Sequence, residues 1–295
     1  MSRIETQLRE RFANAGVRGW LHAQPVGAAS EVAVDADVPV VMASVYKLPL
    51  LVAFCRMVDD GGIDPREPVR LDPAIRTPGP TGLATLLDPV TMSVRDLAAN
   101  MIAVSDNAAA DALLELVGLD RVAQTLRALG LSATRITGGT ADTFRTLRHD
   151  TRTEDHLAAL EALADNDNPA TTSAYDPLLA SATTGRDMTR LLAAIWTDEA
   201  ASTAQCEFAR AALARQIWPH RLRAGFPYNN VRVAGKTGTL GALRHEVGIV
   251  HFPDDRPLAV AVFTHAARAD PVLPRADAVI GETARLAVSH LRAGA

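Results

Sequence analysis

The chain has 295 residues, 48% of them hydrophobic and 22% charged, with a net charge of -4. That length and composition fit a soluble globular protein with one large core or two lobes, and they exclude a disordered chain. The small negative charge and the lack of any run of like charges leave no basic field for nucleic acid or for a membrane surface, so the expected partner is a small-molecule or peptide-like substrate.

Of the 30 lysine and arginine residues only two, Lys47 and Lys236, are lysine. Arginine cannot serve as a base in a protein, whereas a desolvated lysine can, so the two exceptions point to chemistry. The two cysteines, Cys55 and Cys206, show no metal spacing; Cys55 reads as a small core residue, and a bridge between the two is left open. His149, His156 and His245 have no metal-ligand spacing either, and no cofactor fingerprint is found.

In chain order, residues 1–16 place Ile4, Leu8 and Phe12 on one face of an amphipathic helix. This stretch lacks the apolar run and cleavage site of a secretory signal, and no segment reaches transmembrane length. The sequence as written therefore reads as cytoplasmic, or as extracytoplasmic if an export signal has been removed. Residues 19–23 and 31–35 read as a strand hairpin. Pro39 to Met42 lead into a helix that carries Ser44 and runs through Phe54 and Met57 to Asp60-Gly61-Gly62; Pro49 sits awkwardly inside it. Residues 64–90 read as a long irregular connection. A helix then starts behind the N-cap Ser93, with Asp96 in its first turn. Ser105-Asp106-Asn107 interrupts it, with Asp106 capping the next helix (108–117), which closes at Gly118. Another helix spans 121–129. Between 137 and 184 only a helical island at 156–163 and the polar tract Asp165–Pro169 can be placed. Helices at 186–196 and 204–217 follow, then strands at 231–236, 246–252 and 258–264, and a closing helix at 277–291. With strands at both ends and helices between, the expected fold mixes an α/β lobe (1–40 with 217–295) and an all-helical lobe (41–216) inserted into it.

Ser44 is the candidate nucleophile, and Lys47, one helical turn on, is the base within reach. Neutralising a lysine at pH 7 costs about 4.6 kcal/mol from its ordinary value, so the pair demands a dry, electropositive cleft. Ser44-Val45-Tyr46-Lys47, Ser105-Asp106-Asn107 and Lys236-Thr237-Gly238 together, in this order, form the triple found in class A β-lactamases and penicillin-binding proteins. The chain resembles that family over most of its length. The resemblance implies a β-lactamase-like two-lobed fold, an antiparallel sheet flanked by terminal helices with an inserted helical domain. It makes Ser44 the acylated nucleophile and Lys47 its activating partner. Ser105 becomes the proton shuttle to the leaving nitrogen, and Lys236 the second cation. Asn107, Thr237, Gly238, Thr239 and Arg244 become substrate contacts, and the N–H groups of Ser44 and Thr239 the oxyanion hole. A carboxylate-bearing acyl substrate is implied.

The sequence departs from the family where class A enzymes carry the glutamate that activates the deacylating water. Thr134-Arg135-Ile136 resembles the approach to that loop, yet Thr137-Gly138-Gly139-Thr140-Ala141-Asp142 follows, with no glutamate before Glu154. Asp142, Asp150, Glu154 and Glu161 are the substitutes on offer. The expectation is a serine hydrolase that forms an acyl-enzyme on a strained or activated amide or ester. The alternatives are a penicillin-binding-protein-like peptidase or acyltransferase on D-amino acid peptides, and a non-catalytic module that captures an acyl ligand.

Overall fold

Helix α1 (Arg3–Asn14) opens at a capping box between Ser2 and Glu5 and buries Ile4, Leu8 and Phe12, the stripe that its 3.6-residue period sets. The computed structural model describes residues 2–167 and 170–294. After α1 come β1 (Val17–Pro25), β2 (Val32–Val34) and the short β3 (Val40–Val41), then a 3-10 turn (Ala43–Tyr46) and α2 (Lys47–Asp59). The ribbon strands β4 (Pro68–Leu71) and β5 (Val90–Ser93) precede helices α3 (Val94–Ala103), α4 (Asn107–Val117), α5 (Leu119–Ala128), α6 (Thr140–Thr151) and α7 (His156–Ala164). The chain continues through β6 (Ala182–Thr183), α8 (Gly185–Trp196) and α9 (Thr203–Ala214), and ends with β7 (Arg232–Leu240), β8 (Leu243–His251), β9 (Leu258–Ala266) and α10 (Pro274–Ala293).

Five strands form one antiparallel sheet in the order β2-β1-β9-β8-β7. One face packs on α1 and α10, where Leu8, Phe12, Ile280 and Val288 meet Leu21, Val260 and Val262. The other face feeds Val247, Ile249, Ala261 and Phe263 into the core of the helical region, with Phe54, Leu97, Met188 and Leu192. The central strands are therefore buried on both faces: β9 reads as a nearly unbroken apolar run, and β8 is buried along almost its whole length although it carries Arg244, His245 and Glu246. The result is the expected β-lactamase-like mixed fold, and it leaves β7 at the sheet edge, facing the helical region.

Four expectations change. The α-helix does not carry Ser44: a 3-10 turn does, and α2 begins at Lys47. Pro49 then lies in the first turn of α2, where N–H groups have no intrahelical partner, so it does no harm. Residues 64–90 are not wholly irregular, because β4 and β5 pair antiparallel with Leu71 opposite Val90; flanking prolines and glycines hide their alternation. A full helix, α6, was not foreseen in 137–184; its 12 residues bury only Thr140 and Leu147, too few apolar positions to show a period. The helix at 204–217 ends at Ala214. Cys55 and Cys206 are both buried and unbridged. In the polar tract Asp165–Pro169, Asn168 and Pro169 lie outside the described residues.

Candidate active site

Two backbone features shape the site around Ser44, the candidate nucleophile. Ala43, just before Ser44, has φ +44°, and Ser105 has φ +58°, left-handed values that cost a non-glycine residue about 1–2 kcal/mol. Such strain is held in place only where packing over-determines it, commonly at functional sites. Residues three apart eclipse one another on a 3-10 turn, so Lys47 stands on the same side as Ser44.

The left-handed turn at Ser105, between α3 and α4, aims both its carbonyl and its hydroxyl at the lysines. Lys47 Nζ donates to Ser105 O at 2.7 Å, to Asn107 Oδ1 at 2.8 Å and to Ser105 Oγ at 3.4 Å. Lys236 Nζ donates to the same Ser105 Oγ at 2.9 Å and to Thr237 O at 2.8 Å. Both lysines are 0% exposed. Burial lowers Lys47 to about 7, against the opposing pull of Asp111 and Asp106. Burial also holds Lys236 well below its ordinary value, with the charges of Lys47 and Arg221 pushing the same way and Glu246 opposing. The Ser105 hydroxyl thus lies between two buried ammonium groups whose pKa values burial lowers, an arrangement able to pass a proton between them. Asp106 does cap α4, its Oδ1 accepting from Ala109 N, while Oδ2 accepts from Leu83 N.

Strand β7 supplies the opposite wall. Thr237 N donates to the side chain of Gln216 at 2.8 Å, so this N–H points away from β8, off the free edge. Side-to-side alternation along an antiparallel strand puts the N–H of Thr239 on that same edge, facing the cleft. The role of Gly238 is also structural: a Cβ there would meet Met42 O at 2.9 Å and Val45 Cγ2 at 3.1 Å. Only a glycine lets β7 approach the 3-10 turn that carries Ser44 this closely. Behind the strand, buried Glu246 accepts from Gln216 Nε2 at 2.7 Å and from Leu222 N at 2.8 Å, and burial raises its carboxyl to about 7.

Ser44, Ser105, Asn107, Thr237, Thr239 and Arg244 all line one cleft of about 650 Å³. The Arg244 guanidinium there is tied to the carbonyls of Gly241, Leu243 and Asp270. Buried Arg221 lines the same cleft and was not singled out from sequence. Its Nη2 donates to Thr239 Oγ1 at 2.8 Å, Nη1 to the carbonyls of Gly238 and His245, and Nε to Asp277 at 2.7 Å. As one of 28 arginines, in a loop without periodicity, it carried no signal of its own.

A second unforeseen group fixes the N-terminus of α6. Asp111 accepts from Thr140 N, Ala141 N and Thr77 Oγ1, and at 3.4 Å from Tyr46 Oη. Tyr46 Oη also lies 3.1 Å from Thr140 Oγ1, which donates to Asn107 Oδ1 at 3.4 Å. A carboxylate at a helix N-terminus is favourable, and the network ties α6 to the Lys47 partner Asn107. Among the carboxylates considered for deacylation, Asp150 is taken up by Thr172 and Ser173. Asp142 lines a smaller cavity of about 330 Å³ together with Ala43, Tyr46 and Thr137, and Glu161 lines the main cleft. His245 is buried and pushed down to about 3 by burial. Among the described residues, no three His, Cys, Asp or Glu side chains gather as a metal site.

Known proteins share this fold. The chain is 30% identical to the β-lactamase regulatory protein BlaB of Streptomyces cacaoi, over 97% of this chain and 96% of that one. It is similar to the crystal structure of a β-lactamase from Sphaerobacter thermophilus, at 25% identity with a TM-score of 0.77, covering 97% of this chain and 96% of that one. It shares the fold of PBP-A, at 20% identity with a TM-score of 0.79, covering 99% and 97% of the two chains. A profile described as the β-lactamase enzyme family matches residues 3–291. The chain belongs to the β-lactamase enzyme family.

Proposed function

We propose that Ser44 is the nucleophile of this β-lactamase-like serine hydrolase and is acylated by strained or activated amides and esters, β-lactams among them. The observation that carries the reading is Ser105 Oγ held at 2.9 Å from Lys236 Nζ and 3.4 Å from Lys47 Nζ, with both lysines fully buried. Neutral Lys47 takes the Ser44 proton as Oγ attacks the carbonyl carbon. Ser105 passes a proton to the departing nitrogen or oxygen, and Lys236 keeps Ser105 oriented. The N–H groups of Ser44 and Thr239 stabilise the oxyanion, an effect usually worth about 2.7–4 kcal/mol per donor. Thr237, Thr239 and Arg221, with Arg244 near by, favour a carboxylate on the leaving half. Gly238 serves by letting β7 close on the turn.

The second step is slower than the first. The segment Thr137–Asp142 offers no glutamate; of the four substitutes on offer, Glu161 lines the cleft that holds Ser44, and Asp142 lines the neighbouring cavity beside Ala43. The name of the 30%-identical regulatory relative favours a second reading, in which a lasting acyl adduct acts as a signal. Benzylpenicillin and a chromogenic cephalosporin, followed by product release and intact mass, separate the two. Turnover that is lost in Ser44→Ala and Lys47→Ala supports the hydrolase. A persistent adduct on Ser44 supports the sensor. No adduct and no turnover overturn the nucleophile assignment.

A further inference from the structure

Strand β7 is the edge of the sheet, and only part of that edge is used. The alternation that sends the Thr237 N–H off the edge sends the N–H and C=O groups of Val231 and Val233 the same way. Val231 O accepts from Arg223 Nη1 at 2.6 Å, and the backbone of Thr237 is taken up by Gln216 and by Lys236 Nζ. Between these two points, no described residue pairs with the outward backbone of Val233. An unpaired strand edge is a template for another extended chain, which supplies the missing donors and acceptors through its own backbone.

This part of the edge borders a cavity of about 630 Å³, within the size range of ligand sites. The cavity and the cleft that holds Ser44 share one lining residue among those described, Trp218. Trp196 and Trp218 give it aromatic surface, and Arg210, Arg223, Arg232, His251 and Glu246 are its charged or titratable groups. Arg210 is paired with Asp198 at 2.7 Å. Glu246 is 0% exposed, and its oxygens accept from Gln216 and Leu222 N. Arg223 bonds a carbonyl and Arg232 is exposed, and neither is in an ion pair among the described residues. Two guanidinium groups are thus left to meet an acid beside the open edge. A second copy of β7 would set arginines against arginines, which disfavours self-pairing.

We propose that this cavity is a second binding site, separate from the cleft of Ser44, and that it takes a short acidic peptide in extended conformation. The peptide adds a strand to β7 at Val233, sets its carboxylates against Arg223 and Arg232, and lays apolar side chains on Trp196 and Trp218. It stops at Gln216, whose side chain already accepts from Thr237 N in the place of a strand partner. Binding makes no use of Ser44 or of the two lysines.

The test is fluorescence anisotropy of a fluorescein-labelled pentapeptide amide of alternating valine and glutamate, with lysine in place of glutamate as the control. The glutamate peptide is expected to bind saturably and about ten-fold or more tighter than the lysine peptide, and to weaken about ten-fold in Arg232→Glu, an exposed change compatible with folding. Val233→Pro removes the outward N–H and spares the ladder with β8, as an edge strand tolerates, and weakens the peptide by a similar factor. Ser44→Ala binds it as the wild type does, and excess benzylpenicillin does not displace it. No saturable binding, equal affinity for the two peptides, or affinity unchanged in Arg232→Glu overturns the site. Displacement by benzylpenicillin overturns it by placing the peptide in the cleft of Ser44, and concentration-dependent dimerisation lost in Val233→Pro overturns it by giving the edge to a second copy. None of these readouts requires acylation, so failure of this site and failure of the nucleophile assignment are seen separately.

Discussion

Replacing Lys47 by arginine keeps a cation of similar reach but removes the ability to become neutral. Burial brings Lys47 from 10.5 to about 7, a difference on the order of 5 kcal/mol. At pH 7 about half of the lysine is then neutral, against roughly one part in 2,500 for an unperturbed side chain. The rate of acylation therefore rises from pH 5 to a plateau above about 7.5. Lys47→Arg loses on the order of a thousand-fold at pH 7.5 and has no rising limb near 7. Stopped-flow burst kinetics with a chromogenic cephalosporin, from pH 5 to 10, measures both. A wild-type limb centred near 10, or a limb near 7 retained in Lys47→Arg, would refute the assignment of Lys47 as the base. The same shift has a stability sign. Between about 7 and 10.4 the unfolded chain holds a proton that the native Lys47 has released, so stability rises with pH across that window, and Lys47→Met flattens the rise in urea unfolding at pH 7 and 9.5.

Gly238→Ala forces apart β7 and the Met42–Val45 backbone; it is expected to cost about 1–3 kcal/mol in urea unfolding and to slow acylation more than ten-fold in the burst assay. Glu246, raised to about 7 by burial, keeps its proton in the native state when the unfolded carboxyl has lost it, so stability falls as pH rises from about 4.5 to 7. Glu246→Gln removes that slope, and thermal unfolding at pH 5 and 8 checks it; an unchanged slope would assign it to another group. Arg221→Lys breaks a fork bonded to Thr239, Gly238, His245 and Asp277. It is expected to cost about 3 kcal/mol of stability and to lower kcat/KM about ten-fold for carboxylate-bearing β-lactams, more than for a neutral ester compared in the same assay.

What the sequence made legible and what it hid follow one physical division. The apolar stripes of α1 and α10 and the β7–β9 runs were readable because periodic burial leaves a periodic pattern. The pairs Ser44 with Lys47 and Lys236 with Thr237 were readable because a chain with only two lysines marks them, and because local spacing fixes each pair. Arg221, Thr140, Asp111 and Gln216 act through partners many positions away, Asp111 on Thr140 and Tyr46, Gln216 on Thr237 and Glu246. Nothing near them in sequence records such a contact. Helix α6 was invisible for a related reason: its N-terminus is held by Asp111 from another helix rather than by an apolar face of its own.

The buried ionisable groups also explain why the site is built where the sheet edge meets the helical elements rather than within either. Lys47 and Glu246 both sit near pH 7, and each destabilises the native state when charged and buried, Glu246 with a slope that falls below neutrality and Lys47 with one that rises above it. Lys236 adds a third such cost, lowered in the same sense as Lys47. A single core would have to enclose these charges without relief. Here the sheet edge carries Lys236, and the 3-10 turn and the α3–α4 junction carry Lys47 and Ser105, so the charges meet at a seam whose hydrogen bonds come from both sides. Weakening the seam by Gly238→Ala is therefore expected to raise the pKa of Lys47 toward its ordinary value as water enters. The acylation limb would move to higher pH in that variant, whereas a uniform loss of rate with the limb unmoved would mean that the close approach of β7 serves geometry alone.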